Sequence, residues 1–230
     1  ETHVHADHLT ASVWLKQRLG GQTAIGQGVT AVQETFGALF NVTGLNVTAE
    51  MATDGSQFDR LFADGATFEI GGPGGPDGIE GRVIATPGHT PACVTYVIGD
   101  ACFIGDTMFM PDSGTARCDF PGGDAKQLFT SIQKILELPD ETRLFVCHDY
   151  GAGGTRDFAW ETTIGDQRAN NIHVGGAMEH DYVQMRRDRD ATLSLPRLII
   201  PAVQVNMRAG EFPPAEDNGT SYLKVPLNVF

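Results

Sequence analysis

Thr2-His3-Val4-His5-Ala6-Asp7-His8 places three imidazoles and a carboxylate within six consecutive positions. Imidazole is the commonest protein metal ligand, and carboxylates join it at sites for hard or borderline cations. Three of the chain's seven histidines fall in this one segment, so the spacing predicts a metal site. Three further ligand types recur in matching contexts. His89 follows the apolar run Arg82-Val83-Ile84-Ala85, Asp106 follows Cys102-Phe103-Ile104, and His148 follows Leu144-Phe145-Val146-Cys147.

Each of these three therefore lies on a loop after a short strand, where a rigid sheet can aim side chains at one point. The elements that must position them follow from pattern. Leu9–Leu19, closed by Gly20-Gly21, reads as a helix. Residues 23–26 read as a strand. Val29, Val32, Phe36 and Phe40 mark a second helix. Asp59–Gly65 reads as a turn before a strand at Thr67–Ile70, and Gly71–Gly78 as a loop. Strands are expected at 81–86, and at 94–98 and 102–104 as a hairpin about Gly99-Asp100. Leu128, Ile132, Ile135 and Leu136 define a helix over 124–138, and 142–147 is the last core strand. Residues 160–169 and 182–193 read as helices, and 211–230, with Pro213-Pro214, as an extended tail. The alternating run Arg186-Arg187-Asp188-Arg189-Asp190 reads as a solvated helix face.

Composition bounds the class. The chain has 230 residues, 41% hydrophobic and 20% charged, ordinary for a globular protein with a sizeable core. Its formal net charge is −13, which argues against a nucleic-acid binder or an anionic-membrane binder. An anionic substrate would need a local basic pocket. No run approaches the ~20 apolar residues of a membrane span, and no signal peptide is visible. The cysteines, Cys93, Cys102, Cys118 and Cys147, lack C-x-x-C spacing and read as reduced and mostly buried, which suits a bacterial cytoplasm or another reducing compartment.

The segment His3-x-His5-x-Asp7-His8 with His89, Asp106 and His148 resembles the signature of the metallo-β-lactamase superfamily. Thr86-Pro-Gly-His-Thr-Pro91, Arg117-Cys118-Asp119-Phe120, Cys147-His148-Asp149-Tyr150-Gly151 and Asn206-Met207-Arg208-Ala209-Gly210 are most similar to its persulfide dioxygenase branch. The resemblance implies an α/β fold, the αββα sandwich, lacking its first strands in this numbering. It implies a single domain over 1–230, with a core at 1–150 and an extension at 151–230. By position it also implies one Fe(II) per chain on His3, His89 and Asp106, a facial triad with open positions. His5, Asp7, His8 and His148 would then orient the ligands, or form a second metal site.

The implied reaction oxidises glutathione persulfide, or a related low-molecular-weight persulfide, with O2 to sulfite and thiol. Tyr150, Arg117, Arg208 and His173 are the candidate substrate-binding residues. Where that branch has Asn-Pro-Arg-Leu after its Arg-bearing helix, here Arg168-Ala169-Asn170 leads to Asn171-Ile172-His173-Val174, without the Pro and Arg. Two other readings fit the ligand set: a glyoxalase-II-like thioester hydrolase with two Zn(II) per chain, and a non-catalytic metal-binding scaffold. A homodimer is a possible assembly.

Overall fold

The computed structural model describes residues 1–43, 51–71 and 78–227. The elements run α1 (Ser12–Leu19), β1 (Ala24–Gly26), α2 (Val29–Leu39), β2 (Arg60–Phe62), β3 (Thr67–Ile70), β4 (Ile79–Ala85), β5 (Val94–Ile98), β6 (Ala101–Phe103), α3 (Ala125–Leu136), β7 (Arg143–Phe145), α4 (Gly151–Gly154), β8 (Glu161–Thr163), α5 (Ile164–Asn170), α6 (Glu179–Asp190) and α7 (Ile199–Asn206). Contacts divide the chain into two compact units. One comprises Glu1, His3–Phe62 and Ser194–Phe230; the other comprises Thr2 and Ala63–Leu193. Among the described residues no helix is long and apolar enough to cross a membrane.

In the first unit β1 and β2 pair in parallel, Ile25 opposite Leu61. Residues 60–62 are thus a strand rather than the expected turn. Three residues are too few to show alternation, and the parallel partner, not local propensity, makes the strand. Helix α2 buries Val29, Val32 and Phe36 on one stripe, as its spacing predicts. Gln33 is fully buried, and its amide donates to the Gln57 side chain (2.7 Å) and to the Met207 carbonyl (2.9 Å). Helix α7 was not legible: its Ile199-Ile-Pro-Ala-Val-Gln-Val-Asn206 segment is apolar without a periodic stripe, and six of its eight residues are buried.

The second unit is built on a six-stranded sheet in the order β3-β4-β5-β6-β7-β8. Neighbours are antiparallel except β6 and β7, which are parallel. Strands β4, β6 and β7 therefore run in one direction, and the loops after them leave the sheet at one edge. Helix α3 begins where the Asp124 carboxylate accepts the Gln127 N–H (2.7 Å), satisfying one of the free N–H groups of its first turn. Leu128, Ile132 and Ile135 are fully buried, in a core shared with Cys102, Ile104, Leu144, Ile164 and Tyr182. Each such aliphatic side chain contributes about 1.5–3 kcal/mol by leaving water.

Residues 161–163 pair with β7 before the α5 helix starts at Ile164, so the helix expected from 160 is preceded by a strand. Thr163 ends that strand and caps α5, accepting the Asp166 N–H. The expected loop at 71–78 lies largely outside the described residues.

Candidate metal centre

Sheet direction explains why His89, Asp106 and His148 meet. Each follows one of the three co-directional strands, at the same edge. Asp106 stands between the two imidazoles: its Oδ2 is 3.7 Å from His89 Nε2 and its Oδ1 is 3.4 Å from His148 Nε2.

The His89 loop is held by backbone. Ser131 donates to the Pro87 carbonyl (2.6 Å) and the Asp124 N–H to the Gly88 carbonyl (2.9 Å). Gly88 has φ +142°, and a Cβ there would lie 2.3 Å from the Leu128 Cα, so only glycine lets the loop sit against α3. His89 Nδ1 lies 2.7 Å from the Arg117 carbonyl. A carbonyl only accepts, so Nδ1 carries the proton and Nε2 carries the lone pair that a metal needs.

The Arg117 carbonyl is itself placed from α6. Arg186 donates to the Thr115 carbonyl (2.9 Å), and Asp190 accepts the Cys118 N–H (2.9 Å). These two side chains, 3% and 4% exposed, form an ion pair at 2.6 Å. The solvated-face reading of residues 186–190 is therefore corrected. The pair faces inward one turn beyond the buried Tyr182, a four-residue spacing that could have revealed it.

In the first unit His3, His5, Asp7 and His8 follow one another along a loop. The His3 and His5 ring centroids are 4.1 Å apart, and those of His5 and His8 are 4.3 Å apart. One ligand atom each of His5, Asp7 and His8 lies within 4.8 Å of the others. Asn206 fixes this loop: its amide donates to the His5 carbonyl (2.8 Å) and the His8 carbonyl (2.7 Å), and its oxygen accepts the Thr10 N–H (2.9 Å). Glu1 completes the support, taking His5 Nε2 at 3.1 Å and the Thr10 hydroxyl. Sequence reading gave no role to Glu1 or Asn206, although Asn206 lies in a segment that carries the family resemblance.

The donors fit a cation. His5 Nδ1 is buried without a hydrogen-bond partner, while its other nitrogen meets a carboxylate, the arrangement seen in metal-ligating histidines. His3, His89 and Asp106 are 2%, 6% and 9% exposed.

The candidate substrate residues divide. Tyr150 is exposed and packs edge-on to Phe109, as does His148. The Arg117 guanidinium is held bidentately by Asp119 (2.6 and 2.7 Å). His173 Nδ1 accepts the Thr115 N–H (2.9 Å); burial first, then Arg186 and Arg189, pushes its ring down to about 4. Arg208 is buried in the first unit.

Beside His148, the Asp149 carboxylate takes two bonds from Arg156 (2.6 and 2.8 Å) and the Ala159 N–H. Arg156, which also grips Asp112, holds the Asp149 carboxyl well below the usual range. Burial pushes the thiols of Cys93, Cys102 and Cys118 up to about 12, whereas Cys147 is exposed.

The description "Metallo-beta-lactamase superfamily" matches residues 1–148. A probable metallo-hydrolase of Burkholderia pseudomallei is 52% identical over 99% of this chain and 77% of its own length. The mitochondrial persulfide dioxygenase ETHE1 of Homo sapiens is 30% identical over 91% of this chain and 67% of its own. The crystal structure of ETHE1 from Myxococcus xanthus superposes with a TM-score of 0.67 at 28% identity, covering 91% of this chain and 76% of that one. With the ligand loops and the sheet that presents them in agreement, this chain belongs to the metallo-β-lactamase superfamily.

Proposed function

We propose that the chain is an iron-dependent persulfide dioxygenase: a persulfide, O2 and water give the thiol, sulfite and two protons. Similarity to the two ETHE1 proteins supports the branch. The observation that carries a single metal is a contrast in burial. His3, His89 and Asp106 are at least nine-tenths buried. Asp7, His8 and His148, which a second ion would need, have side chains 42%, 50% and 27% exposed. His8 and Asp7 also bond each other at 3.0 Å. Side chains in water are already solvated, whereas a buried carboxylate such as Asp106 is stabilised by a cation beside it.

On this reading His3, His89 and Asp106 hold one Fe(II). When bound, iron would supply the open positions and relay to O2 the electrons that the outer sulfur gives up on becoming sulfite. The protein residues do the rest. The Arg117 carbonyl keeps His89 in its Nδ1–H tautomer, and His148 orients Asp106 from the side opposite His89. Glu1 and Asn206 set the His5–His8 loop, and Tyr150 offers a hydroxyl to the substrate beside His148.

A second reading, a dinuclear thioester hydrolase, is favoured by the buried Nδ1 of His5, which could serve as a further ligand. The metallo-hydrolase relative supports it too. Metal content with oxygen uptake decides between them. One iron per chain, with glutathione persulfide consuming O2 and releasing equimolar sulfite, is expected. Two metals per chain, with thioester hydrolysis and no O2 uptake, would overturn the proposal.

A further inference from the structure

Two loops of the second unit meet beside Asp106. One, residues 107–117, follows Asp106 itself; the other, residues 147–160, carries His148 and Tyr150. Their rings interlock. Phe109, 8% exposed, lies edge-on to His148 (centroids 6.2 Å apart, planes at 72°) and to Tyr150 (5.6 Å, 89°), the geometry that aromatic pairs favour. The Phe109 backbone is fixed from α5. The buried Gln167 amide donates to the Phe109 carbonyl (2.7 Å), and the Ile172 N–H donates to the Pro111 carbonyl (3.0 Å).

Rings in contact keep a fixed geometry only if the loops that carry them are held in register. Arg156 reaches both loops. Its Nε and Nη2 grip Asp112 (2.6 and 2.7 Å), three residues beyond Phe109. Its Nη1 and Nη2 grip Asp149 (2.6 and 2.8 Å), the residue between His148 and Tyr150, whose side chain is 5% exposed. Nη1 also donates to the Asp157 carbonyl (3.0 Å), so every N–H of the guanidinium is used. The backbone bends sharply to bring Arg156 there. Gly151, Ala152, Gly153 and Gly154 all have positive φ (58°, 49°, 71° and 90°), a region costly for a residue with a Cβ such as Ala152. The Arg156 N–H returns to the Gly151 carbonyl (3.3 Å). Backbone of this kind persists where its surroundings over-determine it, and it clusters at functional sites.

We propose that Arg156 is a positioning residue for the reaction: by bridging Asp112 to Asp149 it holds the Phe109 ring between His148 and Tyr150. It thereby fixes the imidazole that orients Asp106 and the hydroxyl offered to the substrate, two roles that rest on the function proposed above. Arg156 itself touches neither substrate nor metal ligand; it acts through the ring that the bridge keeps in place.

Asp112→Ala cuts the bridge and leaves the Arg156–Asp149 pair in place. The Asp112 side chain is 40% exposed, and an ion pair so open to water adds little stability, so the variant should keep a Tm close to that of the parent. The ring resonances of His148 and Tyr150 in the intact, metal-free chain should both shift. The turnover number should fall about ten- to hundredfold, as small misplacements near a reacting centre can cause, in whichever reaction the parent chain catalyses, persulfide oxidation or thioester hydrolysis. Arg156→Lys, whose compact ammonium lacks the planar fork that grips two carboxylates, should reproduce both changes. Glu179→Ala, which breaks an exposed ion pair with Lys126, should cause neither. Unmoved ring resonances, or moved ones with parental turnover, would overturn the proposal. A parent chain that hydrolyses thioesters and oxidises no persulfide would instead overturn the dioxygenase reading, and the ring shifts with the hydrolysis rate would still decide the role of Arg156.

Discussion

Replacing Asp190 by Ala should do two separable things. Arg186 and Asp190 are a buried ion pair, 3% and 4% exposed. Removing one member leaves an uncompensated buried guanidinium, a loss of about 3–5 kcal/mol. For a chain of this size that corresponds to a fall in Tm of roughly 6–20 °C. The second effect is on the metal site. Asp190 also accepts the Cys118 N–H, and Arg186 holds the Thr115 carbonyl; between them lies Arg117, whose carbonyl sets the His89 tautomer. Iron affinity should therefore fall about 10–100-fold, as when a ligand's outer partner is lost. The double variant Arg186→Met with Asp190→Leu separates the effects. An apolar pair of similar volume restores much of the stability, but it restores neither backbone contact, so iron affinity stays low. Thermal denaturation of the metal-free protein and competitive chelator titration measure the two quantities. A single variant losing under about 1 kcal/mol, or a double variant with wild-type iron affinity, would refute the reasoning.

Asp106→Ala should abolish iron retention, while His148→Ala lowers it only about 10–100-fold; equal loss in chelator titration would make His148 a direct ligand. His173 has a folded pKa of about 4 against 6.5. Between those values the unfolded chain binds a proton that the folded chain does not, so stability rises with pH through that window and is lost on acidification towards 4. His173→Gln should flatten that part of the pH–stability curve in urea titrations. Gly114→Ala should destabilise by about 1–3 kcal/mol, since φ is +81° and the new Cβ would lie 2.2 Å from His173 Nδ1; an unchanged Tm would contradict this. A thiol reagent at pH 8 should modify Cys147 quickly and the buried Cys93, Cys102 and Cys118 only on unfolding.

His89, Asp106 and His148 were legible as candidates because each follows a short apolar strand, and the sheet delivers all three to one edge. The elements with periodic stripes, α2 and α3, were legible for the same reason. What escaped had little or no local signature. β2 exists through its pairing with β1, and α7 is apolar on every side with Pro201 in its first turn. The inward turn of Arg186 and Asp190 is hidden in a run whose other members, Arg187, Asp188 and Arg189, face water. The support given by Asn206 depends on contacts about 200 positions away along the chain, and sequence spacing carries no measure of those.

The Asn206 clamp has a consequence for the order of events in the cell. The His5 and His8 carbonyls are gripped by a residue about 200 positions further along. During synthesis at roughly 5–20 residues per second, the first histidines emerge well before the amide that will fix them exists. Until then the two carbonyls lack the amide that holds them in the folded chain. Metal selection by a finished coordination shape must therefore wait for α7, and any ion captured earlier is held by the affinity of loose imidazoles alone. The maturation of this protein is thus a matter of timing as well as affinity: α7 decides when the His5–His8 loop becomes selective.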